Sequence, residues 1–373
     1  MKGFFSDVLR FAWLMALLFP LCSWAATVSW DGGGSSANWG ANNNWNPNGD
    51  PAAGSDLIMT GSARLTNTVN NASGTAGSYN SITFGAGASG TFLIGGGILT
   101  NGAGGIVNNN ANLQMFTNTL IVMSAAQTWN ASSGALGISS AITNGGNLLT
   151  ITGGNNTTLG GKITGTGGLT KSGAGTLMLT GTVANTYSGV TTINAGQITL
   201  QKTAGVDAIA GNIIINTGGT LLLGASDQII STADMTLAGG TFETGGFDET
   251  LDTLTLTANS VIDMTGTGDI LNFSDSSAIA WTGGTTLEIQ GYDGTTDTDQ
   301  LFFGTTDSGL TADQLAQISF RDPVGWAPGS YSAFIQSDGR IVPIPEPATI
   351  LSGFLLFGIL ARRGRRRWLS RSR

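Results

Sequence analysis

The chain has no histidine, and its single cysteine, Cys22, stands near the start. That excludes intrachain disulfides, conventional zinc sites, haem ligation through imidazole and an imidazole base working at neutral pH. Charge is scarce too, at 10% of residues. Between Asp56 and Asp207 there is no acidic residue, and the only charges are Arg64, Lys162, Lys171 and Lys202. No apolar stripe with a helical period of 3.6 runs through the body, which argues against a helical fold.

What charge there is lies unevenly. From Asp207 to Asp338 the chain carries 18 Asp or Glu against Arg321. Over residues 27–345 the balance is 6 basic against 21 acidic, a net −15. With no basic stripe in the body, nucleic acid is excluded as an expected partner. Glycine is abundant, at 58 residues, yet Leu, Ile, Val and Phe recur in short runs, which separates the chain from a disordered Gly-rich tract.

Those runs repeat. Thr192–Leu200, Ile214–Leu222, Thr236–Phe242 and Thr255–Ile262 each read as strand, small-residue turn, strand. Their anchors Ile193, Ile215, Leu237 and Leu256 are 22, 22 and 19 apart. A period of about 20 predicts a solenoid, in which each coil buries its apolar face by stacking on its neighbours. Apolar residues alternate with Thr and Asn, and Gly-Gly, Asn-Gly and Ala-Gly steps supply the positive φ of tight corners. The expected fold is therefore all-β, a right-handed parallel β-helix of about 20 residues per coil. A β-sandwich is the rival, since turns at this spacing also occur there. The expected layout is an N-terminal cap over 27–56, coils over 57–305 and a C-terminal cap over 306–342. In that last cap, Leu310–Ile318 reads as a short helix with Thr311 and Gln314 forming a capping box.

Residues 161–201 hold a longer phrase: Gly165-Thr-Gly-Gly-Leu-Thr-Lys-Ser-Gly-Ala-Gly-Thr-Leu-Met-Leu-Thr-Gly181, then Asn185-Thr-Tyr-Ser-Gly189 and Thr191-Thr-Ile-Asn-Ala-Gly196. This resembles the autotransporter-associated β-strand repeat, with Val190 where a glycine is common. The resemblance implies a passenger-type β-helix and a surface destination. It does not imply self-translocation, because the end of the chain reads as an anchor helix rather than a barrel.

Both ends read as address signals. Lys2 and Arg10, the apolar run Phe11–Leu21 and Ser23-Trp24-Ala25 form a signal peptide over 1–26, cleaved after Ala25 or Ala26 and implying the Sec export machinery. Cleavage would remove Cys22, and with it the one thiol nucleophile. At the other end, Pro343-Ile-Pro-Glu-Pro347 is stiff and extended. Ala348–Ala361 is apolar and uncharged, and Arg362, Arg363, Arg365, Arg366 and Arg367 follow. Seven of the 15 basic residues lie in the last 12 positions, which would hold the tail in the cytoplasm and the body outside. As a transmembrane helix, 348–361 is about 21 Å long, short of a hydrocarbon core of about 30 Å, so the inner-membrane anchorage it implies is transient. Residues 343–373 resemble the PEP-CTERM sorting signal, carried by Pro345, Glu346 and Pro347, the helix and the arginine tail. That resemblance implies recognition by an exosortase-type sorting enzyme in bacteria that make exopolysaccharide.

Candidate chemistry is thin, and the chain reads as a non-enzymatic stalk or adhesin with no cofactor. The alternative is a polysaccharide-binding or polysaccharide-degrading β-helix. For it, Asp248, Glu249 and Asp252 are the nearest grouping of carboxylates, set against a solvated corner. Asp293, Asp297 and Asp299 read either as an acidic loop or as oxygen ligands for Ca²⁺, although their spacing departs from the calcium-loop pattern. Trp30, Trp39 and Trp45 read either as an end cap or as a stacking platform for sugar rings.

Overall fold

A computed structural model describes residues 26–69, 77–266, 268–295 and 298–345. The signal-peptide segment, Glu346, Pro347, the apolar run 348–361 and the arginine tail lie outside the described residues. So does Asp297.

The chain forms an all-β solenoid of the right-handed type, with about ten turns of about 22 residues. Each turn lays down up to three short strands, so the rod has three faces. One turn shows the order: Gln127–Ala131 on the first face, Leu136–Ile138 on the second, Ile142–Gly145 on the third. The next turn places Leu149–Gly153, Thr157–Leu159 and Ile163–Gly165 directly on these, all by parallel pairing. Parallel ladders at every level rule out the sandwich. At about 4.8 Å per rung, ten turns make a rod of about 48 Å.

The alternation seen in sequence is the alternation of burial. On the first face the inward column runs Ile151, Lys171, Ile193, Ile215, Leu237, Leu256 in unbroken register. On the second it runs Leu177, Ile198, Leu221, Phe242, Ile262, Ile289, Phe320. All of these except Lys171 are apolar and buried. Each Leu or Ile so buried contributes about 1.5–3 kcal/mol against exposure. The four anchors read from sequence therefore stack as one column. The period is nearer 22 than 20: three of the five steps along this column are 22 residues, and the other two are 20 and 19.

Corners are tight enough to demand glycine where successive turns touch. A Cβ on Gly161 would stand 1.9 Å from the Ser140 carbonyl oxygen, and one on Gly167 1.9 Å from that of Asn147. Longer excursions leave the third face. Between Thr186–Tyr187 and Glu249–Leu251 that face shrinks to a bridge between Ile209 and Ile229.

Both ends depart from the expected boundaries. Thr27–Trp30 already pairs in parallel with Asp56–Met59, so the first rung lies inside the segment expected only to cap. Trp45–Asn46 then adds an antiparallel strand beside it. At the far end the last parallel rung is Ile318–Arg321 on Leu287–Gln290, again inside the expected cap. Closure comes from Ser330–Ile335 and Arg340–Pro343, which pair antiparallel and stop further stacking. The short helix is Ala312–Leu315, and its capping box forms: Gln314 N–H donates to Thr311 Oγ1 at 3.2 Å, and Thr311 N–H to Gln314 Oε1 at 2.7 Å. Gln314 Nε2 also donates to the carbonyls of Ser276 and Ile279, tying the helix to the rod.

Candidate functional site

Trp30, Trp39 and Trp45 are fully buried. Trp45 sits edge-on to Trp30 at 5.1 Å and to Trp39 at 5.7 Å. The indole N–H groups are used internally, Trp39 on Asn67 Oδ1 and Trp45 on the Trp39 carbonyl. No ring face is open, so the sugar-stacking reading of these residues fails: aromatic edges pack against faces more favourably than they wait for a ligand.

The carboxylates of Asp248, Glu249 and Asp252 point different ways. Asp248 is exposed and Asp252 half-buried, but Glu249 turns inward on the strand Glu249–Leu251 and is 1% exposed. It is no solvated corner. Its Oε2 accepts from the backbone N–H of Gln228 at 2.8 Å and of Ile229 at 3.1 Å. Burial pushes its carboxyl up to about 8, against the opposing pull of those amides. Asp299 is also fully buried; Oδ1 accepts from Gly268 and Asp269 N–H and Oδ2 from Asp293 N–H at 2.6 Å. Asp293 accepts from the amide and hydroxyl of Thr295. The carboxylates of Asp293 and Asp299 thus shape their own loop. Among the described residues no group of three or more Asp, Glu, His or Cys side chains is placed to hold a metal ion. Asp269, adjacent and buried, is held above the usual carboxylate range by desolvation first, and also by the nearby charge of Asp299, while a hydrogen bond from Thr244 opposes the shift.

Two lysines were missed as interior residues. Lys171 takes the inward position that Ile151 and Ile193 hold on adjacent rungs, and is 1% exposed. Its ammonium donates to the carbonyls of Gly173 at 2.7 Å, Ala195 at 3.3 Å and Ser172 at 3.4 Å. Lys202 donates likewise to the carbonyls of Thr180 and Val183, both at 2.9 Å. Each amine replaces a missing strand partner by satisfying carbonyls at a corner. The signal was present: Lys171 follows Leu169 by two, as Ile151 follows Leu149.

Burial lowers the Lys171 amine to about 8 from the ordinary 10.5. Between these values the folded chain binds fewer protons than the unfolded chain, so stability rises with pH from about 8 to about 10.5. Lys171→Met is expected to cost more stability at alkaline than at neutral pH, where the donor lost to three partly buried carbonyls is offset by no longer holding an ammonium inside. It should also lose most of the alkaline rise, Lys202 keeping a part because burial lowers its amine too. Urea midpoints at pH 9 and pH 10.5 for both proteins, above the range in which Glu249 titrates, check this; a variant that keeps the full rise would show another group responsible.

The exterior is plainer. A cleft of about 410 Å³ on the third face is lined by Thr250, Asn272, Phe273, Ser274 and Asp275 among others, with Asp275 the one carboxylate in it. A glycosidase needs two. The first face is more regular. Thr128, Thr150, Thr170, Thr192, Ile214, Thr236 and Thr255 are register partners on seven successive rungs, all pointing outward. Thr152, Ser172, Asn194 and Asn216 form a second outward column two residues on, in which Asn216 Nδ2 donates to Asn194 Oδ1 at 2.8 Å.

Comparison with known proteins bears on this coil. Residues 169–201 match the Passenger-associated-transport-repeat family. The matched stretch is one and a half turns, from the rung Leu169–Lys171 to the strand Gly196–Lys202, and it contains the buried Lys171. The repeat's Gly173 and Gly175 lie at the corner beside it. The chain is also 32% identical over 230 residues to "Adhesin BmaC autotransporter" of Brucella suis biovar 1 (strain 1330). That alignment takes in 60% of this chain and 6% of the adhesin. No solved structure matches. Among the described residues no helix is long and apolar enough to cross a membrane.

Proposed function

We propose that this chain is a non-enzymatic, adhesin-like rod displayed outside the cell and delivered there by its terminal signals. The observation that carries the reading is the three-faced coil itself, one stretch of which is similar to a passenger repeat, in a chain similar over 230 residues to part of an autotransporter adhesin. Such a coil offers long flat faces and needs no catalytic pocket to bind.

The delivery route rests on sequence. Export would begin with the signal peptide over 1–26. Pro345, Glu346 and Pro347, the apolar run 348–361 and Arg362, Arg363, Arg365, Arg366 and Arg367 would then present the chain to an exosortase-type enzyme at the inner membrane. The rod's last described strand, Arg340–Pro343, belongs to its closing hairpin, so an anchor beyond it would hold the rod by one end. Removing residues 343–373 should move the protein from the cell-surface fraction to the soluble exported fraction, followed by immunoblot of fractionated cells. Unchanged surface retention would refute the sorting route while leaving the adhesive rod standing.

A further inference from the structure

The first face combines three properties over the same turns. It is uncharged: from Thr128 to Asn194 its outward residues carry no acid or base, and the one lysine on its strands, Lys171, turns inward. It is periodic: the outward threonines repeat on consecutive rungs, at about 4.8 Å, with the second polar column about 7 Å to the side. It is amphipathic as well. One column further back, Leu148 and Val190 are 43% and 41% exposed, with Gly168 between them. That glycine has no room for a side chain, since a Cβ there would stand 2.8 Å from the Val190 carbonyl oxygen and 3.4 Å from Leu148 Cδ1, so only bare backbone separates the two apolar side chains.

From this we infer that the first face, between Leu148 and Asn194, is a binding track for a linear, uncharged polysaccharide laid along the rod axis. The inference rests on the adhesive reading above and names its partner. A chain of β-1,4-linked hexoses advances by nearly one rung per sugar, with C–H groups on its faces and hydroxyls along its edges. A C–H face can lie on Leu148 and Val190 while one edge turns to the polar columns. Its hydroxyls meet Thr150, Thr170 and Thr192, then Thr152, Ser172 and Asn194, all able to donate and accept. Charge selects the polymer. The acidic half of the chain, from Asp207 onward, repels anionic glycans, whereas the neutral turns put no penalty on a neutral one. Without an outward aromatic ring each sugar is held weakly, so affinity must accumulate over rungs.

The test uses the full chain in detergent micelles, titrated by calorimetry with β-1,4-linked glucose oligomers of two to eight sugars and with oligogalacturonate of the same lengths. The expected result is saturable binding of the neutral series, tightening with length up to about three or four sugars, one per rung of the track, and none of the acidic series. Thr150→Ala/Thr170→Ala/Thr192→Ala should weaken hexamer binding at least tenfold, and Thr170→Lys alone should do so by obstruction. Thr199→Ala/Thr220→Ala/Thr241→Ala, on the second face, should leave it unchanged. Circular dichroism and melting curves confirm that each variant is folded. No binding of the neutral series, equal loss in both triple variants, or preference for the acidic series would overturn the track. Cell fractionation is untouched by any of these outcomes, so failure here is separate from failure of the surface-display reading.

Discussion

Acidifying the solution from about pH 8 to about pH 5 is expected to stabilise the folded rod, and Glu249→Gln is expected to remove most of that gain. The sign follows from burial. Glu249 is enclosed between rungs, and its folded value of about 8 lies above the ordinary 4.5. Between those values the folded chain holds a proton that the unfolded chain has released. Stability is therefore fully present below about 4.5 and is lost as pH rises through about 8. At about 1.4 kcal/mol per unit, the contribution is on the order of 4 kcal/mol. Asp269 is shifted in the same direction, so a shallow acid gain should survive in the variant. Urea midpoints at half-unit steps from pH 4.5 to 8.5 measure this. A wild-type profile that falls on acidification would show that Glu249 is charged in the fold, held by the amides of Gln228, Ile229 and Thr250.

Trp45→Ala is expected to cost about 3–5 kcal/mol and to loosen the rod from one end rather than throughout. Trp45 is the ring that both Trp30 and Trp39 pack against, and its N–H caps the Trp39 carbonyl at 2.7 Å. Removing it opens a cavity beneath the first rung. Because each turn touches mainly its neighbours, the damage should fade with distance. Hydrogen exchange resolves the point: amides in Thr27–Trp30 and Asp56–Met59 should exchange far faster in the variant, while those in Thr191–Ile193 and Ile213–Asn216 stay near wild type. Uniform acceleration along the rod would mean that it melts as one unit.

The coil was legible because its two determinants are local. Alternation marks which side chains go in, and small residues mark the corners, so Ile193, Ile215, Leu237 and Leu256 could be aligned by spacing alone. Three faces per turn were harder to see. The third face has short strands and nearly vanishes between Tyr187 and Glu249, where the chain makes loops instead. The buried charges were misread for a different reason. Glu249 obeys the inward parity of its strand, yet residue type says a solvated corner, and type overruled parity; Lys171, equally inward, was read only as a charge. What reconciles them is invisible in sequence: backbone carbonyls and amides at the corners, brought close by the turn above. The tryptophans of the first segment were open to two readings, an end cap or a ligand platform, and packing consumes every ring.

The hydrogen bonds of every rung lie along the rod axis, while the covalent chain winds around it. Tension applied between the two ends therefore loads those bonds one rung at a time, like a tape being peeled, rather than shearing many together. Each turn that yields releases about 22 residues, or about 75 Å of slack, from a coil that occupied about 5 Å. A rod held by one end and gripped near the other would lengthen in steps under load and rewind when it is relieved.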